Sequence, residues 1–169
     1  MGKSKVDDTF LYSHSLFGGL TSEEIDFIRD SFHEEIFNKN DVILHQGEPN
    51  SKIFFIIEGG VVICKHPTFS QDSKEAACER IISRLSVGDT FGEMELIDIQ
   101  PCAASVIADC PTRILTFTNY DLYQISKTHC RTYAMIIMNL AREISRRLRK
   151  TDEDLAYLLY TKNGENSRN

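Results

Sequence analysis

Between Val42 and Phe117 apolar and β-branched residues come only in short runs, and turn-forming residues separate them at close intervals. The runs are Val42–Leu44, Ile53–Ile57, Val61–Lys65, Arg80–Leu85, Ser105–Ala108 and Arg113–Phe117. Gly47-Glu48-Pro49-Asn50, Gly59-Gly60, Gly88-Asp89 and Cys110-Pro111 punctuate them. Short strands broken this regularly predict a sandwich or a closed barrel, not a βαβ sheet. The polar stretch His66 to Cys78 predicts a long hairpin loop on the surface.

Helical patterns flank the β-rich run. Thr21 and Glu24 have the spacing of a capping box, and Leu20 and Ile25 flank it as a hydrophobic staple. Ile25, Ile28 and Phe32 follow at helical spacing, which predicts a helix ending near Asn38-Lys39-Asn40-Asp41. After Phe117 a second apolar stripe begins: Ile136, Ile137, Leu140, Ile144, Leu148, Thr151, Leu155 and Leu158 fall mostly three or four apart, close to a heptad seam. A helix from Arg131 to Tyr160 would be roughly 45 Å long at about 1.5 Å per residue. One small barrel cannot cover that length, so part of the seam is expected to face a second copy. The expected fold class is mainly β with flanking helices, a double-stranded β-helix or jelly-roll barrel plus a long C-terminal dimerisation helix. The expected organisation is an N-terminal extension over 1–15, the barrel with its N-terminal helix over 16–130, the long helix over 131–160 and a flexible tail over 161–169.

Composition narrows the partners. A net charge of −6 argues against a dedicated nucleic-acid or acidic-membrane binder. No apolar run approaches the roughly 20 residues that span a bilayer, and Met1 to Asp8 lacks the apolar stretch of a signal peptide. Five cysteines, an odd number with irregular spacing and no Cys-x-x-Cys pair, read as reduced thiols in a cytoplasmic protein. Cys64-x-His66 and His129-Cys130 are the close sulfur–imidazole neighbours, and a structural metal needs about four converging ligands. Cupin enzymes use a similar barrel but want clustered histidines, whereas His14, His33, His45, His66 and His129 are scattered. No serine or cysteine has a motif that would activate it. No catalytic residue, metal site or resident cofactor is expected.

The most informative stretch runs from Phe91 to Val106, Phe-Gly-Glu-Met-Glu-Leu-Ile-Asp-Ile-Gln-Pro-Cys-Ala-Ala-Ser-Val. A glycine at a strand end opens a short helical turn with free N–H groups. Glu93 then supplies a carboxylate suited to accepting hydrogen bonds from sugar hydroxyls. The stretch resembles the phosphate-binding cassette of the cyclic-nucleotide-binding domain family. Gly47-Glu48-Pro49 with Ile53 to Gly59 is similar to the family's preceding segment, and Leu85-x-x-Gly88-Asp89-x-Phe91-Gly92-Glu93 to its approach to the site.

The resemblance implies a ligand site for cAMP, cGMP or another small ligand. It implies that Glu93 accepts from a ribose 2′-hydroxyl, and that Gly92, Met94, Glu95 and the amide of Ala103 line the phosphate. The family's phosphate-pairing arginine aligns with Cys102. In the long helix Arg146-Arg147-Leu148-Arg149-Lys150-Thr151 resembles a segment in which a threonine reads the adenine amino group, here Thr151, with Asp152 reaching across a dimer. Two departures weaken the match. A thiol at Cys102 supplies no charged donor, and losing such a bond weakens binding by about one to two decades. A carboxylate at Glu95 repels a phosphate unless it turns away. Lys65 or Arg80 could approach from neighbouring strands, while the basic run Arg146 to Lys150 reads as a solvated helix face facing Asp152, Glu153 and Asp154.

Three functions follow: a regulatory ligand-sensing module with weakened or altered nucleotide binding, a degenerate protein-interaction module, or the sensor half of a transcription regulator. The expected partner is a second copy bound through the C-terminal helix, with no membrane and no DNA bound by this chain alone, since no recognition helix follows.

Overall fold

The punctuated β-rich run folds into two four-stranded antiparallel sheets, ordered β1-β8-β3-β6 and β2-β7-β4-β5. The computed structural model describes residues 8–65, 80–98 and 100–166. Helix α1 (Asp8–Ser13), a 3₁₀ turn (Ser15–Phe17) and helix α2 (Ser22–Arg29) come first. Strands β1 (His33–Phe37), β2 (Val42–Leu44), β3 (Lys52–Glu58), β4 (Gly60–Lys65), β5 (Arg80–Ser86) and β6 (Thr90–Phe91) follow. Helix α3 (Glu93–Asp98) separates these from β7 (Ser105–Ala108) and β8 (Thr112–Thr118), and helices α4 (Asn119–Thr128) and α5 (Cys130–Asn166) end the chain. This is the expected jelly-roll barrel with flanking helices and a long C-terminal helix.

Strand β3 explains the layering. Phe54 and Ile56 point between the sheets and pack with Val61, Phe91, Val106 and Ile114. Ile53 and Phe55 point the other way, onto Leu11, Leu16, Phe17, Ile25, Ile28, Ile136 and Leu140 from the helices. A strand covered on both faces reads as a continuous apolar run, as Ile53 to Ile57 does. Burying one such side chain contributes roughly 1.5–3 kcal/mol. Leu11 is fully buried in the helix-side core, so α1 is part of the packed fold.

The capping box at Thr21 and Glu24 forms as expected, but the helix it starts is short. Helix α2 stops at Arg29, and His33–Phe37 becomes β1 instead of continuing to Asn38. The reason is pairing: His33 to Phe37 run antiparallel to Thr116 to Thr112, and Arg113 and Lys52 form ion pairs of 2.6 Å with Glu34 and Glu35. Phe32 does join the core, from beyond the helix end. A second capping box, Thr118 with Asp121, starts α4, a helix the sequence pattern does not separate from α5.

Helix α5 splits the expected seam. Ile136 and Leu140 are spent on the chain's own core, and the buried Asn139 donates to the Leu16 and Gly18 carbonyls, both at 2.9 Å. Leu148, Leu155 and Leu158 remain more than half exposed. The helix runs on to Asn166, past the expected end at Tyr160.

One cysteine corrects the reading of five reduced thiols on which the cytoplasmic expectation leaned. Cys64 is disulfide-bonded, whereas Cys102, Cys110 and Cys130 are free. The spacing of the five cysteines gave no sign of it, since spacing alone does not specify a pairing. The stretch His66 to Cys78, expected as a hairpin loop, lies outside the described residues. Strands β4 and β5, which flank it, do pair, with Lys65 opposite Arg80.

Candidate functional site

Gly92 shapes the site. Its φ of 78° lies in the left-handed region, and a Cβ there would come within 2.7 Å of the Lys52 carbonyl oxygen and 2.9 Å of Phe54. Only glycine allows the chain to turn so tightly from β6 into α3 against β3. Phe91 stacks on Phe54 with ring centroids 4.8 Å apart, and the Asn50 side chain donates to the carbonyl of Gly92 at 3.2 Å. The turn delivers Glu93 into the barrel with its side chain 4% exposed.

Glu93 opens onto a cavity of about 850 Å³ bounded by three parts of the chain. The cassette contributes Gly92, Glu93, Met94, Ala103 and Ala104. Strands β2, β4 and β5 contribute Leu44, Ile63 and Ile82 to Leu85. Helix α5 lies across it with Glu143, Arg146, Arg147, Lys150, Thr151, Asp154, Leu155 and Leu158. Apolar walls with a few convergent polar groups are the usual make-up of a small-ligand site.

The centre of the cavity is a clasp between helix and cassette. Arg147 Nη1 donates to Glu93 Oε1 at 2.6 Å. Its Nη2 donates to the Thr90 carbonyl and, at 3.2 Å, to Thr90 Oγ1. Its Nε lies 3.6 Å from Glu143 Oε1, one turn earlier on α5. Arg147 is 35% exposed while Glu93 is nearly buried, so the pair sits at the edge between core and solvent. A buried carboxylate needs such a partner, since stripping it leaves an uncompensated charge.

Of the residues expected at the site, Gly92, Glu93, Met94, Ala103 and Thr151 all line this one cavity. Cys102 does not: it is 3% exposed and is not among the residues lining the cavity. Its backbone instead pairs with the Gly47 to Pro49 turn, through Gly47 N–H to Cys102 O and Cys102 N–H to Glu48 O, both 2.8 Å. The side chain of Glu95 lies outside the described residues. Thr151 Oγ1 donates to the Arg147 carbonyl at 2.9 Å, so the hydroxyl's proton is committed to its own helix.

Arg147 is the residue sequence reasoning passed over. The run Arg146 to Lys150 reads as a solvated face, and for Arg147 that is corrected. The available signal was its spacing: Arg147 precedes Thr151 by one helical turn, so both share a face. Lys65 and Arg80, the cations expected to approach, are not among the cavity residues; Arg84, Arg146, Arg147 and Lys150 are.

Behind the clasp, His14 ties the N-terminal helices to the turn before the cassette. Its Nδ1 accepts from the Leu16 N–H at 3.2 Å, leaving Nε2 to donate to the Gly88 carbonyl at 3.1 Å. Burial holds its imidazole below the usual histidine range, opposed by that bond to Gly88 and by Glu143 and Asp89. Among the described residues no cluster of histidine, cysteine and acidic side chains could hold a metal ion. Among the described residues no helix is long and apolar enough to cross a membrane.

Residues 34–129 match the family model described as the cyclic nucleotide-binding domain. The chain is 29% identical over 145 residues to the cyclic AMP receptor protein of Thermus thermophilus, covering 86% of this chain and 62% of that protein. It is 31% identical over 116 residues to the cAMP-dependent protein kinase regulatory subunit of Mycosarcoma maydis, covering 66% of this chain and 21% of the subunit. In structure it is similar to a cyclic nucleotide-binding domain from Methylobacillus flagellatus, with a TM-score of 0.73 at 22% identity, over 86% of this chain and 78% of that one. The chain thus spans less than two thirds of the length of these two curated relatives.

Proposed function

This chain belongs to the cyclic nucleotide-binding domain family, and we propose that it is a non-catalytic regulatory module that senses a ribose-bearing ligand, with cyclic nucleotide binding weakened by the loss of the cassette arginine. The single observation that supports the reading most is Glu93, a nearly buried carboxylate opening on a cavity of about 850 Å³. A carboxylate held there beside a guanidinium is a ready acceptor for a ribose hydroxyl. Cys102, buried and uncharged, supplies no anchor for a cyclic phosphate, so affinity falls by about one to two decades against a site with the arginine.

Self-association through the second half of α5 belongs to the same proposal, since Leu148, Leu155, Leu158 and Leu159 are each more than half exposed. So does a cytoplasmic setting, supported by the free thiols of Cys102, Cys110 and Cys130 and opposed by the disulfide at Cys64. A second reading, the sensor part of a longer regulator, is favoured by the 145-residue similarity to the Thermus receptor protein. The length of the source gene decides it.

Calorimetric titration with cAMP and cGMP tests the main reading. Saturable binding at micromolar to sub-millimolar ligand is expected. Silence up to millimolar ligand supports a degenerate interaction module instead.

A further inference from the structure

We propose that His14 is a proton-operated latch: as a neutral imidazole it joins the N-terminal helices to the turn that leads into the cassette, and taking up a proton opens that joint. The inference goes beyond the ligand-sensing reading and needs no ligand.

Geometry fixes the protonation state of the closed latch. A backbone N–H only donates and a carbonyl only accepts. Nδ1 accepts from the Leu16 N–H at 3.2 Å and Nε2 meets the Gly88 carbonyl at 3.1 Å. Both bonds exist together only in the neutral ring that carries its proton on Nε2. A second proton goes to Nδ1 and points at the Leu16 N–H. Donor then faces donor, and the side-chain cap of the 3₁₀ turn is lost. The ring keeps its bond to Gly88 only as a buried cation.

The surroundings make that cation costly. His14 is 9% exposed. Helix α1, the 3₁₀ turn and β3 present it with the rings of Phe10, Phe17 and Phe55, at centroid distances of 5.3, 5.7 and 5.2 Å. Its charged neighbours are Glu143 and Arg147 on α5 and Asp89 on the turn. Burial lowers the pKa below its ordinary 6.5, outweighing the Gly88 bond and the two acids, which favour the imidazolium; Arg147 disfavours it as well. A folded pKa below the unfolded one makes the latch stabilising above about pH 6.5. That contribution is lost as the pH falls from there through the folded pKa.

The latch sits where three parts of the chain meet. The 3₁₀ turn it caps also receives Asn139 of α5, which donates to the Leu16 and Gly18 carbonyls at 2.9 Å. On the other side, Gly88 N–H donates to Ile56 O at 3.0 Å and Ile56 N–H to Asp89 O at 3.1 Å, which fixes the turn to β3. Opening His14 therefore leaves the turn on the barrel and releases the hold of the N-terminal segment on it. Asp89, next to Gly88, lines the cavity, so the release occurs at the cavity rim.

The test follows the imidazole nitrogens of the full chain by ¹⁵N NMR from about pH 8 to 5. His14 is expected to carry its proton on Nε2 at the upper end and to titrate with a midpoint below 6.5. Amide exchange at Leu16, corrected for the intrinsic effect of pH, reads the opening itself. Its protection is expected to fall below about pH 6.5, by at most about tenfold per pH unit because one proton is taken up. In His14→Gln, which keeps a donor but does not titrate, that protection is expected to be independent of pH. A proton on Nδ1, a midpoint at or above 6.5, or constant Leu16 protection in wild type overturns the inference. So does a His14→Gln protein that keeps the pH dependence of wild type. If that variant does not fold, the wild-type measurements decide.

Discussion

Arg147 and Glu93, 54 residues apart in the chain, form a 2.6 Å ion pair that closes the C-terminal helix over the phosphate-cassette segment. Beyond Leu140 no described side chain of α5 is buried, so this pair, with the bonds from Arg147 to Thr90, holds the second half of the helix to the barrel.

Removing the guanidinium should free that half. Arg147→Ala is expected to speed amide hydrogen exchange over residues 143–161 and to leave residues 132–140 protected, because Thr132, Ile136 and Asn139 remain anchored. The cost in global stability should be about 2 kcal/mol, less than for a fully buried pair because Arg147 is partly solvated. Unchanged exchange over 143–161 would show that other contacts hold the helix.

Restoring an arginine to the cassette tests what its absence means. Cys102→Arg should strengthen cAMP binding at least about tenfold, since a charged donor would again face the phosphate. Cys102 is now buried, next to two alanines that line the cavity. The new side chain must therefore turn outward, and a moderate loss of thermal stability should accompany the gain. No gain in calorimetry would mean that the cassette cannot present a side chain from this position.

Self-association should depend on the exposed half of the seam. Leu155→Glu together with Leu159→Glu, both at sites more than half exposed, is expected to give monomer mass in light scattering at micromolar concentration, where wild type gives twice that. Melting temperature of the barrel should barely move. Wild type at monomer mass would contradict the proposed dimer.

Acid should act on Glu24, which joins α2 to α5. Its carboxylate accepts from Arg131 and Thr132 and from the Thr21 backbone. The hydrogen bond from Arg131, followed by that from Thr21, lowers its pKa from 4.5 to about 2. A folded pKa below the unfolded one stabilises the fold above about pH 4.5, and this contribution is lost as the pH falls from 4.5 toward 2. Glu24→Gln should cost about 1 kcal/mol near pH 7. The gap to wild type should then shrink across that window in thermal melts, and a gap independent of pH would refute the assignment.

Much of the fold was legible in the residues because its signals are local. Turn residues between Val42 and Phe117 mark the strand ends, and the Thr21–Glu24 box marks a helix start where one forms. Strand β1 was hidden because His33 to Phe37 owe their conformation to pairing with β8, some 80 residues away in the chain. The disulfide at Cys64 was hidden because cysteine spacing alone does not specify a pairing. At the site, Gly92 and Glu93 could be read from one continuous motif, and the structure places both on the cavity. Arg147 was passed over: its one-turn spacing from Thr151 puts the two on one face, but which face meets the barrel is set only by docking the helix through Asn139 and Leu140.

The central claim is that Glu93 is the acceptor around which this cavity binds a ribose-bearing ligand. Its most direct test is calorimetric titration of cAMP into wild type and Glu93→Gln, each checked for a folded barrel by circular dichroism. The account predicts saturable binding to wild type below about 1 mM and a loss of about tenfold or more in Glu93→Gln. Equal affinity in the two proteins, or no binding by folded wild type, would contradict it.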